Sequence, residues 1–328
     1  MAIIGSTVAT LADIAKRLDK DGKIDTIVEL LSETNEVLDD MLFLEGNLPT
    51  GHKTTIRTGL PDAAWRMLNY GVPQSKSRTQ QIIDSCGMLE AYAEVDKSLA
   101  DLNGNTAEFR LSEDRAFLQA MNLEMAKTLF YGDTSKTPER FLGLAPRYNT
   151  LDVKKAPSAE NVIDAGGTAA NALTSVYLVG WGANTVHGIY PKGSKVGFSH
   201  QDLGEVTLQD GSGGQYQGYR THYKWDIGLS ARDWRYIVRI ANIDPATITD
   251  NDLIRVMIEA SELLPDVNLG RPVFYMNRPM RTRLRMAKLN KENVRLSFDT
   301  VEGKKVTYFD EIPVRRCDAI VNTEARVS

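Results

Sequence analysis

Residues 112–132, SEDRAFLQAMNLEMAKTLFYG, carry the strongest helix pattern in the chain. Apolar side chains recur on one helical face, at Phe117, Leu118, Met121, Met125 and Leu129. Ser112 is a favourable N-cap, because its hydroxyl can accept a hydrogen bond from an unpaired amide of the first turn. Gly132 can adopt the left-handed conformation that ends many helices. The pattern therefore predicts a helix over 112–131, about 30 Å long.

Composition indicates a folded protein without a bias toward any special class. With 328 residues, 42% of them hydrophobic, the chain can bury a large core. Its net charge of −4 gives no overall attraction to nucleic acid or to an anionic membrane. Cys86 and Cys317 are too few for a disulfide framework and lack metal-ligand spacing. No apolar run approaches the roughly 18 residues of a membrane helix. We expect a soluble intracellular protein with no metal, no cofactor and no membrane contact.

The N-terminal segment predicts an amphipathic helical arm with an acidic face. Between residues 19 and 45 there are nine acids and only two lysines. Apolar side chains recur at helical spacing, at Ile24, Ile27, Val28, Leu31, Leu38 and Met41. Such a charged face is usually one that is simply exposed to solvent.

The next segment predicts a long β-hairpin that projects from the body. HKTTIRTG, residues 52–59, alternates as an exposed strand does, and Asn69 to Pro73 have strong turn chemistry. IIDSCGMLEAYAEVD, residues 82–96, then forms the return strand. Because such a hairpin has little core of its own, we expect it to pack against a neighbour.

Strands and a mixed module are predicted after the long helix. Residues 174–193 and 205–243 have strand patterns, the second with a glycine-rich turn at 210–214. Residues 246–328 predict a compact α/β module. Its first helix is capped by Thr249 or Asp250 and its second helix is basic.

Catalytic signatures are mostly absent. The chain has no phosphate-binding P-loop and no G-x-S-x-G motif. In the glycine cluster 211–218, Tyr216 occupies the position of the third glycine of a dinucleotide fingerprint, so the cluster is interpreted as a flexible turn. The four histidines are dispersed, without metal-ligand spacing. An enzyme whose site is assembled from residues distant in sequence stays open as an alternative function.

A basic segment is the one feature of the sequence that points to a function. Residues 271–295 contain eight lysines and arginines against a single acid, Glu292. A solvated helix face is the default interpretation. A nucleic-acid-binding module is the second, although no aromatic platform is interleaved. A third hypothesis is that this segment meets the acidic arm, either within one chain or between copies.

Several tracts together resemble tailed-bacteriophage major capsid proteins of the HK97-like fold, most closely the coat proteins of short-tailed phages. The similar tracts are TGLPDAAWRMLNYGVPQSKS at 58–77, EVDKSLA at 94–100, LFYGD at 129–133 with FLGL at 141–144, VYLVGWGANTVHGIYPKG at 176–193, RDWRYIVRIANID at 232–244, RPVFYMNRPMRTRLRMAK at 271–288 and FDEIPVRRCDAI at 309–320.

The resemblance implies an α+β fold in four parts. These are an N-terminal arm (1–47), an extended β-hairpin or E-loop (48–104), a P-domain with a β-sheet and spine helix 112–131 (105–245), and an α/β axial or A-domain (246–328). In the more familiar coats, strands like those at 176–190 and 236–243 follow the axial module, so we expect a permuted strand order. No motif supports transfer of the lysine–asparagine crosslink that some relatives make.

The implied function is self-assembly rather than catalysis. The resemblance implies pentamers and hexamers of an icosahedral head that encloses double-stranded DNA, assembled in the host bacterial cytoplasm. It also implies portal, scaffold and cement proteins as partners. The candidate inter-subunit contacts are Asp25, Glu29, Glu33, Glu36, Arg57, Tyr70, Lys76, Arg78, Arg281, Arg283 and Arg285.

Overall fold

The computed structural model describes residues 36–101, 106–194, 198–287, 296–301 and 304–328. Most of the predicted arm, with Asp25, Glu29 and Glu33, lies outside the described residues. The contacts divide the chain into two compact units. The described parts of the first unit are 88–101, 106–126 and 198–226, and those of the second are 36–87, 127–194, 227–287, 296–301 and 304–328.

The strands, in chain order, are β1 (Phe43–Glu45), β2 (Gly51–Gly59), β3 (Arg78–Asp96), β4 (Val162–Asp164), β5 (Thr174–Trp181), β6 (Val186–Tyr190), β7 (Phe198–Gln209), β8 (Gln215–Ala231), β9 (Ile237–Ile243), β10 (Arg271–Met276), β11 (Leu296–Val301), β12 (Lys304–Phe309) and β13 (Ile312–Arg316). The longer helices are α1 (Thr106–Tyr131), α2 (Asp250–Glu262) and α3 (Arg278–Ala287). Single helical turns lie at Val37–Asp40, Lys97–Ala100 and Leu144–Arg147, and 3₁₀ turns at Pro157–Asn161 and Trp234–Tyr236.

Helix α1 begins earlier than its sequence pattern predicts. The predicted N-cap, Ser112, lies inside the helix, which starts at Thr106. Nothing in TAEFRL, residues 106–111, breaks a helix, and the added turns bury Phe109 against Val95 and Ala100. Burial of this aromatic ring favours the longer helix over capping at Ser112.

The C-terminal end of α1 differs from the prediction in its use of Gly132. The φ angle of Gly132 is not positive, so the residue does not adopt the left-handed conformation. Its amide donates to the carbonyl of Thr128 at 2.7 Å, as in a continuing helix. A Cβ at this position would lie 2.3 Å from the carbonyl oxygen of Phe141. Glycine is therefore required by close backbone approach rather than by backbone conformation.

The predicted apolar face of α1 is largely confirmed. Met121, Met125 and Leu129 are buried, whereas Leu118 is 40% exposed. In the unit that contains 88–126, Met121 packs with Ala93 of β3 and Tyr223 of β8. Strands β7 and β8 pair antiparallel from Phe198↔Trp225 to Gln209↔Gln215, around the predicted turn at 210–214.

Strand β5 lies at the centre of the sheet in the second unit. All eight of its residues are buried, as a continuous apolar run predicts for a strand covered on both faces. It pairs antiparallel with β10 on one side and with β9 on the other. Beyond β10 lie β13, β12 and β11, while β9 also pairs with β4.

Residues 246–328, predicted as a module of their own, share this sheet with earlier strands. β10 pairs with β5 from Arg271↔Trp181 to Tyr275↔Tyr177. The predicted strands and helices of the module are present, and Thr249 caps α2 by accepting from the amide of Asp252 at 3.2 Å. Local pattern predicts these elements, but the pairing of β10 with a strand about 100 residues away depends on tertiary packing. The permuted strand order relative to other coats stays a prediction.

The predicted hairpin is confirmed. β2 and β3 pair antiparallel from Gly51↔Ser85 to Gly59↔Arg78, with a register shift between Arg57 and Gly59. Residues 60–77 connect the two strands and contain no helix or strand.

Candidate interaction surfaces

The hairpin tip, residues 60–77, presents an unusual amount of exposed apolar surface. Every residue of the tip is exposed. Six large apolar side chains are between 53% and 106% exposed, namely Leu60, Trp65, Met67, Leu68, Tyr70 and Val72. Isolated exposed apolar residues are common, but a contiguous group of this size is typical of a surface that another protein covers.

Internal hydrogen bonds give the tip a defined path. The hydroxyl of Ser75 donates to the carbonyl of Asp62 at 2.8 Å, and the amide of Tyr70 donates to the carbonyl of Met67 at 3.2 Å. Asn69 has a φ of 67°, which asparagine tolerates better than most residues and which fits the predicted turn. The predicted contact residues Arg57, Tyr70, Lys76 and Arg78 are all exposed along this hairpin.

Helix α3 carries the predicted basic residues. The side chain of Asn277 accepts from the amide of Met280 at 3.2 Å and so caps the helix. Met280, Leu284 and Ala287 are buried. This apolar face leaves the arginines of the helix on the other sides.

The three candidate arginines of α3 occupy different environments. Arg285 is exposed, whereas Arg281 and Arg283 are half-buried. Arg283 donates to the backbone carbonyl of Ile248 and so fixes α3 to the segment before α2. Arg278, which was not among the candidates, lies 2.8 Å from the carboxylate of Asp318.

Glu36 reaches a basic partner that sequence reasoning missed. Arg315 of β13 lies 3.4 Å from Glu36 and 3.1 Å from Asp40, all within one chain. Arg315 falls outside the basic segment 271–295, and no local pattern distinguishes it. Only the pairing of β13 with β10 brings it beside the end of the acidic arm.

Asp40 extends this contact into the core. It is buried and accepts from the hydroxyl of Tyr275 at 3.1 Å. That hydroxyl also accepts from the indole of Trp181 at 2.8 Å. Burial and the nearby carboxylate of Asp40 raise the pKa of Tyr275. The base of the arm is thus tied to the central strands by buried hydrogen bonds.

Two dispersed histidines do come together. The rings of His52 and His187 lie 5.8 Å apart in an edge-on arrangement. Burial, together with the charge of His52, lowers the pKa of His187 to about 4. Nearby, Arg147 donates to Asp84 at 2.8 Å in a largely buried ion pair. Neither ring nitrogen of His187 has a hydrogen-bond partner among the described residues, so this histidine lacks the bond to a nucleophile that a catalytic base makes.

Metal-ligating clusters and membrane-spanning helices are both absent from the part of the chain that the structure describes. No group of three or more His, Cys, Asp or Glu residues within 36–101, 106–194, 198–287, 296–301 and 304–328 could hold a metal ion. None of the helices in these ranges has the length and apolar character that a membrane span needs.

Comparison with known proteins places these surfaces in context. The family model of major capsid protein GP7 matches residues 19–328. The solved structure of bacteriophage epsilon15 is 39% identical, covers 100% of this chain and 99% of its own, and has a TM-score of 0.76. The capsid structure of bacteriophage JBD30 is 8% identical, covers 88% and 91%, and has a TM-score of 0.50. No curated protein sequence matches. The overall architecture is the HK97-like fold.

Proposed function

Because this chain belongs to the family of major capsid protein GP7 and forms the shell of a phage head, we propose that it does so as pentamers and hexamers of an icosahedral lattice. Identical subunits with modest, repeated interfaces close into symmetric shells. The chain is located in the virion capsid and associates with copies of itself. This structural role requires no turnover of a substrate, so the family favours a coat protein over an enzyme.

The exposed hairpin tip is the observation that carries the proposal. Exposure of its apolar side chains to water is unfavourable. Burying one leucine on a neighbouring subunit would contribute about 1.5–3 kcal/mol to the free energy of association. The exposed Arg57, Lys76 and Arg78 would supply charged contacts at the edge of the same interface. Each hairpin that lies on a neighbour adds avidity across the shell.

Further partners follow from the family resemblance. Double-stranded DNA is enclosed without sequence-specific binding, which suits a chain with a net charge of −4. Portal, scaffold and cement proteins complete the head, and assembly takes place in the host bacterial cytoplasm.

The test is a pair of leucine substitutions. Leu68→Asp alters the tip, where the side chain is 84% exposed, and the matched Leu269→Asp alters an exposed leucine elsewhere. We expect Leu68→Asp to raise the protein concentration needed for shell formation about tenfold or more, because each 1.4 kcal/mol is a factor of ten. Sedimentation velocity and negative-stain imaging measure the shell fraction.

The outcome separates the alternatives. Normal shells from Leu269→Asp together with few from Leu68→Asp support the tip as an interface. Equal shell yields from both variants would refute it. A wild-type chain that remains a monomer at high concentration would refute unaided self-assembly.

A further inference from the structure

Six buried polar atoms at the base of the hairpin have no hydrogen-bond partner among the described residues. They belong to five residues, all in the second unit. The atoms are Oγ1 of Thr54, Oδ2 of Asp84, Nε of Arg147, both ring nitrogens of His187 and Oγ of Ser230. Buried polar groups in folded proteins are normally paired, so a group of this size needs an explanation.

The register of the strands brings these side chains to one place. His187 of β6 lies opposite Ser230 of β8, and opposite residues of antiparallel strands share one face, with Cβ atoms about 4.5–5.5 Å apart. In the hairpin, His52 of β2 lies opposite Asp84 of β3, and Thr54 follows His52 on the same face. The rings of His52 and His187 lie 5.8 Å apart, so the faces of the two strand pairs meet.

Arg147 joins the group from a third element, the turn Leu144–Arg147. Its Nη2 donates to Oδ1 of Asp84 at 2.8 Å and to the carbonyl of Leu229, next to Ser230, at 3.2 Å. Its Nε and the second carboxylate oxygen of Asp84 are left without partners among the described residues. All six atoms are buried, so bulk solvent does not satisfy them.

The chemistry of the six atoms selects a neutral occupant that both donates and accepts hydrogen bonds. Oδ2 of Asp84 can only accept, and Nε of Arg147 can only donate. The two hydroxyls can do either, and the neutral imidazole of His187 has one donor and one acceptor. The carboxylate would repel an anion, and the guanidinium would repel a cation. Water is the smallest molecule that meets these requirements.

The protonation state of His187 agrees with such an occupant. Burial is the main cause of its lowered pKa, about 4, so the ring is neutral near pH 7. A neutral ring has one bare nitrogen, to which a water molecule can donate, and a bond of this kind stabilises the neutral form.

We propose that the six atoms line a buried site for ordered water, which we call the hydrated site, where β2 and β3 meet β6 and β8. A buried water makes about three hydrogen bonds, so about two waters would serve the six atoms. They would join the base of the hairpin to the body through solvent, beside the direct pair of Arg147 and Asp84. This inference does not depend on shell formation, because all of its residues belong to one unit of one chain.

The hydroxyl of Thr54 gives a sharp test, because a hydrated and an unpaired hydroxyl predict opposite results. Thr54→Val keeps the shape of the side chain and removes the hydroxyl. If water binds that hydroxyl, a hydrogen bond is lost, and the urea midpoint of the full chain should fall by about 0.3 M. If the hydroxyl has no partner, its removal ends a desolvation cost and should raise the midpoint. A rise, or no change, would overturn the proposal.

Thr55→Val is the matched control. It is the same substitution at the next residue of β2, whose side chain is exposed. Surface substitutions of this kind have small effects, so its urea midpoint should stay close to that of the wild type. The fall expected for Thr54→Val is measured relative to this variant, which removes the general effect of valine in a strand.

A density map of the wild-type protein at about 2 Å resolution locates the occupant directly. We expect at least two solvent peaks, each within about 3.2 Å of two or more of the six atoms. Side chains that pair with one another and leave no peak would overturn the proposal. A peak about 2.0–2.1 Å from a ring nitrogen of His187 would also overturn it, because that is a metal–imidazole distance.

Discussion

Arg239 and Glu324 form a buried ion pair, with Nη2 of the arginine 2.8 Å from Oε2 of the glutamate. The carboxylate also accepts from the hydroxyls of Ser175 and Tyr131, each at 2.5 Å. Arg239 donates in addition to the carbonyl of Tyr148 at 2.8 Å. These bonds join the end of α1, strands β5 and β9 and the C-terminal segment into one network.

Removing the charge of Glu324 should therefore destabilise the fold strongly. Glu324→Gln keeps the size of the side chain but leaves the guanidinium of Arg239 buried without a counter-ion. Breaking a buried pair in this way costs about 3–5 kcal/mol. We expect the free energy of unfolding to fall by that amount, measured by urea denaturation followed by fluorescence.

Glu205→Gln is the matched control for this change. Glu205 lies 2.8 Å from Lys97, but 43% of its side chain is exposed. Solvent-exposed pairs contribute about 0–1 kcal/mol, so this variant should unfold nearly as the wild type does. Comparable losses of unfolding free energy in the two glutamine variants would show that burial does not increase the contribution of the Arg239–Glu324 pair.

Gly132 gives a second prediction, based on the steric clash that a Cβ atom would cause at this position. In Gly132→Ala the new methyl group would meet the carbonyl oxygens of Phe141 and Thr128, at 2.3 and 2.6 Å from the ideal Cβ position. Backbone atoms cannot move aside as a flexible side chain can, so we expect a loss of about 1–3 kcal/mol in the free energy of unfolding. Thermal denaturation would show it as a lower melting temperature.

Gly71→Ala serves as the control, because it is the same substitution in open space. No atom lies within 4 Å of a Cβ at Gly71, and its φ is not in the left-handed region. Its melting temperature should match that of the wild type or exceed it slightly, since alanine restricts the unfolded chain. A similar loss in both variants would contradict the close-approach explanation of Gly132.

Elements with a strong local period could be predicted from the sequence. The apolar repeat of α1, the Thr249 cap of α2 and the glycine-rich turn at 210–214 depend on near neighbours in the chain. The start of α1 could not be predicted, because Phe109 is held by contacts with Val95 and Ala100. The pairing of β10 with β5 was missed for the same reason, since it joins distant segments.

The candidate surfaces divide in the same way. Hairpin residues such as Tyr70 could be chosen because the polar turn sequence predicts an exposed tip, and the tip is exposed in the single chain. Arg315 could not be chosen, because it becomes a partner of Glu36 and Asp40 only when β13 lies beside β10. The network of Arg239 and Glu324 likewise joins residues that are far apart in sequence, and a lone buried charge has no sequence signature.

His187 gives a third prediction, the response of stability to pH. Its pKa is lowered from the ordinary 6.5 to about 4, with burial as the main cause. His52 and Arg232 lower the pKa further, while Asp84 raises it. In the folded protein His187 thus stays neutral between about pH 6.5 and pH 4, where the unfolded chain binds a proton.

The direction of the stability change follows from the number of protons that the folded and unfolded states bind. Because the unfolded state binds more protons in this window, stability is complete above about pH 6.5 and is lost as the pH falls toward 4. On acidification from about pH 7.5 to about pH 5, His187 lowers the free energy of unfolding by about 2 kcal/mol. Urea midpoints at the two pH values, converted with a common slope, measure it.

Substitution identifies the responsible histidine. His187→Gln cannot take up a proton, so the difference between the two pH values should shrink by about 2 kcal/mol, even if the variant is less stable at both. His200→Gln changes an exposed histidine and should retain the wild-type difference. If His187→Gln lost stability on acidification as steeply as the wild type, the pH response would have to come from other groups, because the only change is the loss of this one buried imidazole.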